Sequence, residues 1–204
     1  MNRACAAVLL LIACAVAVSG CSSQAQDLRN TTLGGNFYNY DKVHHWMYNV
    51  TMIAGGATSA WNMTVYVRND TFGGAPARYM QILTEGNGMN ITYDVWSDPK
   101  NYGVLKMHAK GTTGDFFQDR DVSNLQIGTL PDVGLSYYFV PFWAIKNGTA
   151  TTASGSKIPV TVYSASDNKG LTVTYWVCPY VPVPLQVEVS DPNVRIVETL
   201  VGYE

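Results

Sequence analysis

The sequence predicts a mainly β protein: an antiparallel up-and-down meander rolled into a strongly curved sheet or an incomplete β-barrel, with a short helix or lid segment across it. Three observations predict it. Apolar residues recur at every second position in run after run, the period of a half-buried strand. Turn signals separate the runs at hairpin lengths: Gly55-Gly56, Gly73-Gly74, Gly86-Asn87-Gly88, Asp98-Pro99, Asn147-Gly148, Asn168-Lys169-Gly170 and Asp191-Pro192. Charged residues make up only 14% of the 204, with 13 Tyr and 18 Gly, against about 25% charged in an average domain. Such a composition suits strands and tight turns.

In chain order, residues 1–20 come first. Arg3 precedes an apolar core from Ala4 to Val18, the layout of a secretory signal peptide. Val18-Ser19-Gly20-Cys21 reads as a lipobox, an aliphatic residue and two small residues before Cys. Cys21 is the expected lipidation site, its thiol taking a diacylglyceryl group and its amine becoming the new N-terminus. Residues 21–41 are polar, contain Gly and lack periodicity, and read as a lipidated tether. Residues 42–204 read as one β-rich extracytoplasmic domain held at the cell membrane by its lipid. Cys5 and Cys14 leave with the signal peptide, and Cys178 alone remains for the domain. An internal disulfide is therefore excluded and a packed thiol expected.

The alternation begins at Trp46, Tyr48, Val50 and Met52, with Asn49 and Thr51 on the other face. Next, Trp61, Met63, Val65 and Val67 alternate with Asn62, Thr64 and Arg68. Then Met89, Ile91, Tyr93 and Val95 alternate with Asn90, Thr92 and Asp94. Ile158/Val160/Val162, Leu171/Val173/Tyr175/Val177 and Leu185/Val187/Val189 repeat the pattern. About nine to eleven strands result, a number suited to a curled sheet or barrel. One apolar face per strand needs a cover: the opposite wall, an inserted segment or a ligand. Residues 133–145 break the alternation, being nearly all apolar with Tyr137, Tyr138, Phe139, Phe142 and Trp143 close together. They read as a buried strand or core-packing loop, or as a plug or lid whose rings line an apolar cavity with Trp61, Met63 and Tyr93.

Asn-x-Thr sequons occur at Asn30, Asn49, Asn62, Asn69, Asn90 and Asn147, where roughly two are expected by chance. Those at 49, 62 and 90 fall on the polar face of their strands, so a sugar there would meet solvent.

Chemistry is sparse. Adjacent His44 and His45 point to opposite faces of a strand and cannot simply share a metal. Gly134-Leu135-Ser136 lacks the second Gly of a nucleophile elbow, and no phosphate loop or zinc spacing occurs. Asp115, Asp119 and Asp121 read as a solvated loop or helix start, without the ligand spacing of a calcium loop. No cofactor, metal or catalytic group is expected. A net charge of −2 argues against a nucleic-acid partner, and 47% hydrophobic residues argue against disorder.

The lipobox, the tether and the long antiparallel meander resemble the LolA/LolB/LppX-type lipoprotein fold, an unclosed β-barrel around a hydrophobic cavity. The ending Tyr175-Trp176-Val177-Cys178-Pro179, then Val183-Pro184-Leu185-Gln186-Val187-Glu188-Val189, is similar to that group's aromatic, turn, Pro-Leu, strand ending. It is also similar to surface lipoproteins of methanogenic archaea. The resemblance implies a non-enzymatic role in carrying or sequestering a lipid-like hydrophobic molecule. The residues leave a second reading open, a cell-surface structural or interaction glycoprotein with no ligand pocket.

Overall fold

A computed structural model describes residues 37–100, 103–113, 116–121, 144–166 and 170–204. Eleven strands run in chain order among them: β1 (His45–Ala54), β2 (Ala57–Phe72), β3 (Ala75–Gly86), β4 (Met89–Ser97), β5 (Val104–Thr113) and β6 (Phe116–Asp121), then β7 (Ala144–Thr151), β8 (Lys157–Ser166), β9 (Thr172–Val177), β10 (Gln186–Ser190) and β11 (Val194–Tyr203). All pairings are antiparallel, in one strongly curled sheet that does not close. The described residues hold almost no helix. Of the segment read as a lid, Tyr137, Tyr138, Phe139, Phe142 and Trp143 lie outside the described residues, and Ala144 and Ile145 begin β7.

Local chemistry sets the first four strands. Gly55-Gly56, Gly73-Gly74 and Asn87-Gly88 are two-residue loops closing Ala54↔Ala57, Phe72↔Ala75 and Gly86↔Met89. All six loop residues have positive φ, the requirement of the turn whose twist matches the flanking strands. Period-2 alternation then turns Trp46, Tyr48 and Val50, Met63, Val65 and Val67, and Ile91 and Val95 to the buried face.

The strand order is not the order of the chain. It reads β6-β5-β4-β3-β2-β1-β11-β10-β9-β8-β7. The first and last strands pair along β1 from Trp46 to Ala54, with Val201 of β11 as an extra residue between the partners of Met47 and Tyr48. The chain end is tied down beyond them: the amides of His44 and His45 donate to the Glu204 carbonyl at 2.9 and 3.2 Å, and the Glu204 amide donates to the His45 carbonyl at 2.7 Å. Among the described residues the sheet is therefore continuous from β1 to β11 and interrupted between β6 and β7.

Two expectations need correction. Residues 37–41, the end of the segment read as a tether, belong to the folded body. Phe37, Tyr38 and Tyr40 are buried, since three aromatic rings within four residues gain by leaving water when an apolar sheet face lies beside them. The Phe37 ring lies 4.8 Å from that of Tyr163 on β8 and 4.6 Å from that of Tyr175 on β9. Tyr38 and Tyr40 meet Trp46 on β1 at 5.8 and 6.2 Å. The chain thus straps part of its own inner face. The acidic stretch at 115–121 is the second correction: Phe116–Asp121 forms β6, with Asp121 opposite His108 of β5. Pairing to β5 supplies a ladder that local composition did not announce.

β8 is buried on both faces at its middle. Tyr163 pairs with Tyr175, while its neighbour Val162 pairs with Trp176 on the opposite face, and both Tyr163 and Val162 are buried.

Candidate functional site

The inner face is assembled row by row from the pairings. Trp61 of β2 faces Val50 of β1, Val50 faces Glu198 of β11, and Glu198 faces Val187 of β10. Val187 in turn faces Tyr175 of β9, and Tyr175 faces Tyr163 of β8. Five of these six side chains are apolar or aromatic. The sixth, Glu198, is only 1% exposed. Taking a carboxylate out of water is costly, and proteins retain such groups where they meet specific partners.

The same face carries buried donors. The indole N–H of Trp61 and that of Trp46 are out of solvent with no hydrogen-bond acceptor among the described residues. Trp61 is two strands from Glu198, with the small Val50 between. A donor and an acceptor therefore look onto one apolar row, about 10 Å apart at the backbone by strand spacing. Arg78, on the inner face of β3, is the other buried acidic or basic side chain among the described residues, its guanidinium 4.4 Å from the centre of the Tyr40 ring. Thr84, buried on β3, donates to the Ile91 carbonyl at 3.1 Å.

Of the residues read as cavity-lining, Met63 is fully buried in the protein's own core, and Trp61 and Tyr93 are partly buried against it. Cys21 and Asn30 lie outside the described residues. Asn49, Asn62, Asn69, Asn90 and Asn147 are all exposed. Cys178 is a buried thiol.

Sequence reasoning passed over Glu198 and Arg78, although period 2 carried the signal. Val194, Ile196, Glu198 and Leu200 share one parity, as do Arg78, Met80 and Ile82. A charged residue in phase with an apolar stripe marks an inward charge.

On the outer face, polar groups are spent on cross-strand ties. The Tyr79 hydroxyl donates to Asp94 Oδ1, and Gln81 Nε2 donates to both at 3.3 Å. Burial, and then the Asp94 carboxylate, push the Tyr79 phenol up to about 12. Trp96 Nε1 donates to Asp70 Oδ2 at 3.3 Å, Arg68 lies over the Tyr79 ring at 4.5 Å, and His108 Nε2 is 2.9 Å from Asp119 Oδ1. Arg195 and Glu188 form a two-pronged pair at 2.9 and 2.8 Å. His45 stacks on Tyr66 at 4.5 Å and lies 3.7 Å from Glu204. Among the described residues no three His, Cys, Asp or Glu side chains are grouped to hold a metal ion.

No family model matches the chain, and no curated protein matches it. Solved structures similar to it include the following two. One is a DUF1329 family protein from Desulfovibrio piger ATCC 29098, with TM-score 0.43 and 9% identity over 81% of this chain and 87% of that one. The other is a putative outer membrane lipoprotein-sorting protein domain from Vibrio parahaemolyticus, with TM-score 0.34 and 10% identity over 78% of this chain and 84% of that one.

Proposed function

We propose that the protein is an extracytoplasmic binding protein, anchored to the cell membrane through a lipidated Cys21, that holds an amphiphilic, lipid-like molecule against the inner face of its curled sheet. The observation that carries this reading is the buried Trp61 indole N–H, which has no acceptor among the described residues. A lone donor on an apolar row that also holds Glu198 suits a ligand that is polar at one point and greasy elsewhere. The polar group would meet Trp61, beside Glu198 in the same row, and the hydrocarbon would lie along partly buried residues such as Tyr93. The interruption between β6 and β7 supplies the side from which such a molecule would enter. The role is binding rather than catalysis.

The alternative, a surface glycoprotein without a ligand, draws support from the strap of residues 37–41 over the inner face and from the five exposed sequons. A crosslinking experiment separates the two. The full chain in lipid vesicles is offered a photoactivatable long-chain amine and the acid of equal length, and crosslinks are mapped by peptide. The binding reading expects crosslinks on peptides 79–100 and 196–204, stronger for the amine and weakened by Glu198→Gln. Crosslinks confined to outward-facing residues, or none, would remove it.

A further inference from the structure

Asn49, Asn62 and Asn90 were three separate sequons in the sequence, and the pairings join them. Asn49 of β1 lies directly opposite Asn62 of β2, Asn62 opposite Glu85 of β3, and Glu85 opposite Asn90 of β4. All four are exposed. In each strand the sequon's Thr stands two residues beyond its Asn (Thr51, Thr64 and Thr92), hence on the same outer face. The outer surface of β1–β4 therefore carries one transverse row of acceptor amides, each with a hydroxyl beside it.

We propose that this row is a modification stripe, and that Asn49 and Asn62 are alternative acceptors of which one molecule carries a sugar on only one. The proposal is independent of what the inner face binds. The transfer is an N-glycosylation. The Asn amide nitrogen bonds to the anomeric carbon of an oligosaccharide carried on a polyprenyl phosphate or pyrophosphate. The anomeric carbon–oxygen bond to phosphate breaks, the lipid phosphate leaves, and the nitrogen gives up one of its two protons. Exclusion follows from spacing. Directly opposed side chains in an antiparallel pair have Cβ atoms about 4.5–5.5 Å apart. A sugar ring with its acetamido arm is a bulky group, and on one asparagine it covers the amide of the other. Asn90 is two strands from Asn62, about 10 Å away by strand spacing, with Glu85 between, so its modification is independent. The exclusive pair also sits within one hairpin, closed by Gly55-Gly56, so the constraint is present as soon as that hairpin forms.

The sequence allows a direct count. Residues 43–68 contain no Lys or Arg before Arg68, so Asn49 and Asn62 share one tryptic peptide. Asn69, Asn90 and Asn147 fall on separate peptides, 69–78, 79–100 and 147–157. Glycopeptide mass spectrometry of the full chain from its own cells should find peptide 43–68 with one sugar chain, the site divided between Asn49 and Asn62 on fragmentation. Peptide 79–100 should carry its own. In an Asn62→Gln variant, occupancy of Asn49 should rise to the former sum of the two sites. Peptide 43–68 with two sugar chains, unmodified peptides throughout, or unchanged Asn49 occupancy in the variant would each overturn the proposal.

Discussion

The seam between β1 and β11 and the gap between β6 and β7 are the two places where the eleven-strand order could have opened. At the first, Trp46, Tyr48 and Val50 of β1 are fully buried, and backbone hydrogen bonds continue past the strands to Glu204. At the second, Phe117 is 58% and Ile145 is 38% exposed. β6 carries Asp119, Arg120 and Asp121, and β7 carries Lys146 and Asn147. Charged and polar residues along an edge discourage pairing with another strand. Closure thus falls where both partners present bulky side chains to one interior. The opening falls where the alternation gives way to charge. An up-and-down meander read along the chain would have its edges at its first and last strands; here the fold moves the opening to mid-chain.

Mutations can break or sharpen that contrast. The largest effect is expected at the sealed side: Trp46→Ala should cost about 3–5 kcal/mol, read as a lower urea midpoint with unchanged slope. Phe117→Ala at the open side should stay within about 0.5 kcal/mol. If the two cost the same, the contrast between the seams fails. Tyr48→Phe comes next. Its buried hydroxyl donates to the Pro184 carbonyl at 2.7 Å, tying β1 to the loop before β10. Losing it leaves a buried acceptor unmatched and should cost about 1–3 kcal/mol in the same assay. The smallest effect belongs to Tyr79, away from both seams. Its folded-state acidity sits at about 12 against 10.0 unperturbed, so the folded state holds this proton more tightly than the unfolded chain. The resulting stability is fully present below pH 10 and is lost as pH rises toward 12. Urea midpoints measured from pH 9 to 12 should fall, and Tyr79→Phe should flatten part of that fall.

Much of the inner face was legible in advance because a strand's two faces follow from position parity alone. Trp46/Tyr48/Val50 and Met63/Val65/Val67 needed no tertiary information. The short turns were equally legible, since Gly-Gly and Asn-Gly at hairpin spacing suit backbones that demand positive φ. Residues 37–41 were misread because an aromatic-rich strap and a polar tether both lack periodicity, and only a waiting apolar surface tells them apart. Glu198 was legible by parity, yet a charged residue in a strand is by default assigned to water. The sequons carried an ambiguity of their own: on an outward strand face, Asn-x-Thr is also ordinary polar alternation.

By itself, then, the sequence determined the strands, their faces and their tight turns. Those depend on side-chain period and on the steric limits of neighbouring residues. Tertiary structure decided that β1 joins β11, that the sheet stays open between β6 and β7, and that residues 37–41 cover the inner face. It also decided that Glu198 is enclosed among Val50, Val187 and their neighbours. Those outcomes rest on contacts between residues far apart in the chain, made only when burial and backbone pairing outweigh the entropy of bringing the segments together.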